Sequence, residues 1–256
     1  MGLSHSPRIV TNNLLLNLDF ANVKNYIGSG TTATSSVAGL THTLNNTASG
    51  YVNFSNGAIT FTRSTTATKH GGNIQTTGTG NLTSQNFMYN DHTWEVWFRI
   101  DDRTAGGYDA TEGNSILACY AGYHQGFMYD SGAMYYFTWD ATGPTLYTAA
   151  SWTLGASGSQ INQGSWYQIV VTKAGNVYTP YINGVQLGTG YTRVVSYWSG
   201  TGNLLNLGSA ANVAAGVGSY VYYAKNTVSN MKMYNRALSA AEIAQNFDAL
   251  RGRFGI

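Results

Sequence analysis

Carboxylates are the first residues to test for chemistry, because the chain carries so few. There are 11 Asp and Glu among 256 residues. Cleaving a glycosidic bond needs two of them flanking the bond, one as acid and the other as nucleophile or base. Glu95 lies in a strong strand pattern, HTWEVWFRI, that holds no second carboxylate. Glu95 is therefore expected to be an outward strand residue paired with a neighbouring basic or hydroxyl group. Asp101, Asp102, Asp109 and Glu112 cluster in one Gly-containing stretch. Calcium favours several carboxylates and carbonyls on a flexible turn. This stretch has no EF-hand spacing, and Asp also serves Gly-rich turns for conformational reasons alone. No metal site or cofactor is expected, with calcium at this loop as the alternative.

Other reactive side chains give less. His5, His42, His70, His92 and His124 form no HExxH or paired motif and read as surface or turn residues. Cys119 lies in an apolar run and reads as a buried, inert thiol. It is the only cysteine, so no disulfide can close within the chain. No Ser-His-Asp set can be named, because triads assemble in space rather than in sequence. There is no GKS or GKT and hence no P-loop. No catalytic residue is assigned.

Aromatic residues carry more. Tyr120, Tyr123, Tyr129, Trp139, Tyr197, Trp198, Tyr222 and Tyr223 come from strand ends and loops. An exposed ring can stack on the apolar face of a sugar, and such rings are also favoured anchors of protein interfaces. About half are expected to line a core. The candidate ligand-binding residues are Tyr120, Tyr123, Trp139, Tyr197 and Trp198, with a protein partner favoured over a glycan.

The elements that must position these residues are strands. Trp166 to Lys173 is aromatic and β-branched, Ala174-Gly175-Asn176 breaks it, and Val177 to Ile182 resumes. Asn183-Gly184 then supplies a type I′ hairpin turn into Val185 to Leu187. Pro180 has no N–H for a ladder, so an edge or a bulge is expected there. In His92 to Ile100, Trp94, Val96, Phe98 and Ile100 share the core face, while Trp97 on the other face implies a cover from a loop or another subunit. Further strands are expected at Asn13 to Phe20, Tyr51 to Phe54, Ala58 to Arg63 and Ser115 to Tyr120. A hairpin joins Gly126 to Asp130 with Ala133 to Trp139. Later strands are expected near Leu146 to Trp152 and at Arg193 to Trp198, Asn203 to Leu207, Tyr220 to Ala224 and Val228 to Tyr234. Asn22 to Gly39 reads as a long surface loop, and the stretch between Ser64 and Leu82 as one with little to bury.

The end of the chain changes period. Ser239-Ala240-Ala241-Glu242 is a capping box, with Leu238 and Ile243 as its hydrophobic staple. Ile243, Phe247 and Leu250 share one helical face, and Gly252 is the expected C-cap. The fold class is all-β: a two-sheet antiparallel jelly-roll sandwich with one short C-terminal helix.

Composition sets limits. Charged residues are only 9%, while Gly numbers 31 and Tyr 19. Residues 1–12 read as an N-terminal arm and 13–256 as one β-sandwich domain, since no charged or Pro-rich linker divides the chain. The net charge of +2 is scattered without a basic stripe, which argues against nucleic acid. No long apolar run reads as a signal or a membrane span.

Four stretches carry a resemblance: LLLNLDFAN (Leu14 to Asn22), HTWEVWFRI, WYQIVVTKAGNVYTPYINGVQLGTG (Trp166 to Gly190) and MKMYNRALSAAEIAQNFDALRGRFGI (Met231 to Ile256). Together they resemble the concanavalin A-like, laminin-G-type jelly roll, and in combination the virion proteins of tailed bacteriophages, especially those of marine bacteria. The family's Trp-Asp pair after the first Gly-rich loop is replaced by TTATSSVAG (Thr31 to Gly39), and Asn230 stands where an acidic residue is frequent. Hydrolases of this fold often present E-x-D-x-x-E on one strand, and that spacing is absent.

The resemblance implies a virion location and a multicopy structural role, as a capsid decoration or accessory protein. That protein is expected to be no enzyme and to contact a major capsid or tail protein. The alternative is a carbohydrate-binding adhesion module on the tail or capsid exterior, meeting a host surface glycan. A glycoside hydrolase is the third reading. Neither nucleic acid nor membrane is an expected partner.

Overall fold

The computed structural model of the chain describes residues 7–37, 40–45, 50–62, 73–77, 90–101, 115–120, 125–130, 133–138, 161–192, 205–208 and 225–256. Sixteen strands and one helix fall within them, in two antiparallel sheets. The larger sheet contains β1 (Leu14–Asp19), β4 (Val52–Ser55), β5 (Ala58–Phe61), β7 (His92–Ile100), β11 (Trp166–Ala174), β12 (Val177–Ile182), β13 (Val185–Gln186), β14 (Tyr191–Thr192) and β16 (Asn226–Tyr234). The smaller contains β2 (Thr32–Thr34), β3 (Thr41–Asn45), β6 (Asn73–Thr77), β8 (Ser115–Tyr120), β9 (Gln125–Asp130), β10 (Ala133–Thr138) and β15 (Leu205–Leu207).

The larger sheet runs β13-β12-β11-β7-β16-β5-β4. Along one edge of β16, β5 pairs with Asn226 to Val228 and β1 takes over from Asn230 to Tyr234. Where they change over, Ser229 forms an irregularity against β7, and its carbonyl accepts from the Phe20 amide. All nine residues of β16 are buried, so both faces of this central strand are covered.

The alternation expected in β7 holds. Trp94, Val96, Phe98 and Ile100 join Leu16, Leu18, Ile169, Val171, Met231 and Met233 in the core between the sheets. Phe127 and Tyr136 of the smaller sheet meet them there, with Phe127 5.7 Å from Trp94. The meander also forms as expected: Asn183 and Gly184 both have positive φ, and a Cβ on Gly184 would come within 3.1 Å of Phe247. Pro180 faces β11 in register with Val171, and its carbonyl accepts from Leu187 on the opposite side. A strand residue points its N and O to the same edge, so the missing donor falls in the gap between β13 and β14.

Several expectations are corrected. Asn22 to Gly39 is not wholly a surface loop: it holds β2, and Asn25 and Tyr26 are buried. Asn25 braces the turn, its side-chain amide donating to the Thr34 carbonyl at 2.6 Å. Short polar strands of this kind lack the apolar alternation that marks a strand in sequence. β3 and β6 escaped for the same reason, although Leu44 and Ile74 are buried. The stretches expected near Leu146 to Trp152, Arg193 to Trp198 and Tyr220 to Ala224 lie outside the described residues.

The terminal helix, α1 (Ala240–Phe254), starts at the capping box, with Ser239 as N-cap and Glu242 reaching back. Leu238 and Ile243 are both buried beneath it. It does not stop at Gly252. It runs to Phe254 and ends at Gly255 in the left-handed conformation. The extra turn is held by Phe254, whose ring lies 4.4 Å from Trp97 and 4.7 Å from Trp166, and by Arg253, bidentate on Asp19. The C-cap was displaced because these tertiary contacts outweigh the roughly 1 kcal/mol that one interior glycine costs. Among the described residues, no helix is long and apolar enough to cross a membrane.

Candidate functional site

The outer face of the larger sheet is where charge gathers, and register places its side chains in rows across the strands. One row reads Val170, Glu95, Lys232, Asn17; the next reads Gln168, Trp97, Asn230, Asp19; the third reads Trp166, Arg99, Thr227, Thr60, Asn53. Helix α1 lies over the first two, and the third emerges beyond its C-terminal end.

Under the helix, Glu95 and Lys232 form a buried ion pair at 2.7 Å, with side-chain exposures of 0% and 1%. Every oxygen is answered. Glu95 Oε1 also accepts from Trp97 Nε1 at 3.1 Å, and Oε2 accepts from Asn246 Nδ2 at 2.8 Å. Lys232 Nζ donates to Asn230 Oδ1 at 2.6 Å. Asn246, on α1, also donates to the Tyr234 hydroxyl and accepts from the Val10 amide at 2.7 Å, while Tyr234 donates to the Val10 carbonyl. Burial, then the Glu95 charge, push the Tyr234 phenol well above its ordinary range. Trp97 is covered by stacking on Phe247 and Phe254. The cover expected over Trp97 is therefore this chain's own helix. Glu95 has its basic partner, and is sealed rather than solvent-facing. A carboxylate so enclosed is in no position to meet a substrate.

The third row is open. Arg99 keeps 34% of its side chain exposed and Asp101 24%. Arg99 Nε donates to Asp101 Oδ1 at 2.6 Å, and its Nη2 lies 3.4 Å from Thr227 Oγ1. Thr227 gives its single proton to Asp101 Oδ2, so the 2.8 Å contact between the two threonine hydroxyls has Thr60 as donor. Gln163 Nε2 donates to the Asp101 carbonyl, and the Arg99 guanidinium lies 5.5 Å from the Trp166 ring. This arrangement offers a half-exposed cation, an aromatic ring and several hydroxyl and amide groups on one shelf.

None of the five candidate binding residues can be placed in it. Tyr120 ends β8 with only its backbone described, and Tyr123, Trp139, Tyr197 and Trp198 lie outside the described residues. Of the acidic stretch only Asp101 is described, and Arg99 and Thr227 occupy its carboxylate. No group of three metal-ligating side chains occurs among the described residues. Two histidines expected at the surface are buried: His42 at 1% exposure and His92 at 0%. Each shares the core face of its strand, two residues before Leu44 and Trp94 respectively. Burial lowers the His42 pKa to about 4. Sequence reasoning missed Arg99 and Trp166 as a pair because they are 67 residues apart; the β7–β11 register that joins them was its only available signal.

A family model described as the concanavalin A-like lectin/glucanases superfamily, of laminin-G type, matches residues 68–244, well over half the chain. No match was found among curated proteins. Among solved structures, the chain is similar to Trypanosoma rangeli sialidase in complex with a difluorinated nononic acid, at 18% identity and a TM-score of 0.66, covering 96% of this chain and 34% of that one. It is also similar to the binding domain of botulinum neurotoxin serotype D, at 10% identity and 0.60, covering 93% and 52%. A third is the binding domain of botulinum neurotoxin DC in complex with rat synaptotagmin II, at 12% identity and 0.61, with the same coverage. The chain thus spans about a third of the sialidase and about half of the toxin domains. The expectation that the chain is no enzyme is corrected here, because an enzyme stands among its structural neighbours alongside binding domains. At these identities the likeness is one of fold. By its jelly-roll architecture and the family match together, the chain belongs to the concanavalin A-like lectin/glucanase superfamily.

Proposed function

We propose that the chain is a structural component of a bacteriophage particle, a head decoration or accessory protein that docks on another particle protein. The observation that carries this reading is an apolar knob after β1. Asn25 and Tyr26 turn back to the Asn22 carbonyl, forming one helical turn. Val23 within that turn and Ile27 just after it are 73% and 77% exposed. The knob is braced from below: Tyr26 packs edge-on against Phe20 and Phe54, and its hydroxyl donates to the Gly30 carbonyl. A braced turn that presents two exposed aliphatic side chains, with only Lys24 charged between them, is suited to a protein interface, whose core is apolar. The low charge of the whole chain and its resemblance to tailed-phage virion proteins support the same reading.

Mass spectrometry of purified phage particles tests it. The chain is expected in the particle, and a Val23→Asp/Ile27→Asp variant, folded by circular dichroism, is expected to be lost from it. A particle without the chain would defeat the proposal. A second reading, a glycan-recognition module on the particle exterior, is favoured by the open Arg99–Trp166 row.

A further inference from the structure

We propose that the open row on the outer face of the larger sheet is a subsite for a carboxylate-bearing saccharide. The proposal uses a surface separate from the Val23–Ile27 knob and does not depend on it.

Arg99 is held in one orientation. Its guanidinium has five N–H donors in a fixed fork. The Nε/Nη2 edge is committed, Nε to Asp101 and Nη2 to Thr227. That leaves the Nη1/Nη2 end, two parallel N–H bonds that match the two oxygens of a carboxylate, without a partner among the described residues. Asp101 cannot swing away easily: Thr227 holds its other oxygen, and Thr60 in turn donates to Thr227. The fork is therefore oriented before any ligand arrives, which lowers the entropic cost of binding.

The surroundings suit a sugar rather than a bare anion. Trp166 is half-exposed beside the guanidinium and is backed by Phe254. Thr60 keeps its oxygen lone pairs, having spent its proton on Thr227. The Asn53 side-chain carbonyl is available next along the row, since only its amide nitrogen is used, toward Gly50. Asp101 offsets part of the Arg99 charge, so a simple carboxylate ion should bind poorly. Affinity should require the carboxylate on the fork together with hydroxyl and ring contacts along the row.

Isothermal titration against oligomers of galacturonate, guluronate/mannuronate, hyaluronate and polysialate, with neutral galactan oligomers as control, tests this. At least one acidic oligomer is expected to bind, with the neutral control and sodium acetate at least about tenfold weaker. Arg99→Lys keeps the charge but removes the fork, and should weaken binding about tenfold. Trp166→Ala should weaken it as well, with unchanged far-ultraviolet dichroism confirming both folds. Val23→Asp/Ile27→Asp should bind as wild type, which separates this result from the fate of the docking knob. Silence toward all four acidic oligomers would overturn the proposal. So would equal binding of galactan, or full affinity in a folded Arg99→Lys.

Discussion

Glu95 and Arg99 stand on the same strand, on the same face, four residues apart, and each pairs with an oppositely charged side chain. At about 3.4 Å per residue, roughly 14 Å separates them. Yet one pair is sealed and the other half-exposed. The difference lies in what covers them. Helix α1 brings Asn246 down onto Glu95 and lays Phe247 and Phe254 on Trp97, then ends at Gly255 beside Arg99's neighbour Trp166. The same sheet chemistry becomes a structural lock under the helix and an accessible shelf beyond it.

Breaking the sealed pair should have the largest effect. Lys232→Met leaves the Glu95 carboxylate buried without its cation, and is expected to cost about 3–5 kcal/mol in urea unfolding. Replacing both partners, Glu95→Gln with Lys232→Met, should recover most of that loss, because the charges leave while the amide oxygen still accepts from a buried N–H. A double variant as unstable as the single would contradict the assignment of the pair as a lock.

His42 shows another consequence of burial, a titration moved by desolvation. Its folded pKa of about 4 lies below the ordinary histidine value of 6.5. Below pH 6.5 the unfolded chain takes up a proton that the folded chain refuses until about pH 4. Its contribution is therefore complete above pH 6.5 and is lost as pH falls toward 4, on the order of 3 kcal/mol. His42→Gln should flatten that part of the pH–stability curve relative to wild type.

The N-terminal end of α1 should show a smaller effect. Arg236 holds the Glu242 carboxyl at about 2, and the same carboxylate closes the capping box on Ser239. Glu242→Gln is expected to cost about 1 kcal/mol at pH 7. Because the folded pKa is depressed, that difference from wild type should persist above the ordinary carboxylate range and vanish as pH falls toward 2. The smallest effect belongs to the open pair: Arg99→Gln should change stability by under about 1 kcal/mol, and by less in high salt.

Much of the frame was legible because its signals are local. HTWEVWFRI alternates, Asn183-Gly184 is a hairpin turn in any context, and Ser239 with Glu242 is a complete cap within four residues. Trp97 announced a covered face because a large ring on the polar side of a strand has to pack against something. The rest depended on relations that no window holds. Nothing near Asn246 in sequence marks it, because its partners Glu95, Tyr234 and Val10 come from distant parts of the chain. Gly252 reads as a stop until Phe254 finds Trp97 and Trp166. β3 and β6 hide because Thr, Asn and Gln form strands without an apolar rhythm. The aromatic residues favoured for binding were chosen by type, whereas Arg99 and Trp166 become partners only through strand register.

Hydrogen exchange of the tryptophan indoles, followed by NMR at pH 7, tests the division of this face most directly. The Trp97 indole N–H, bonded to Glu95 beneath α1, should exchange only through global unfolding, over hours or longer. The Trp166 indole N–H, on the open row, should exchange within the dead time. Rapid exchange at Trp97, matching that at Trp166, would contradict the sealed and open halves described here.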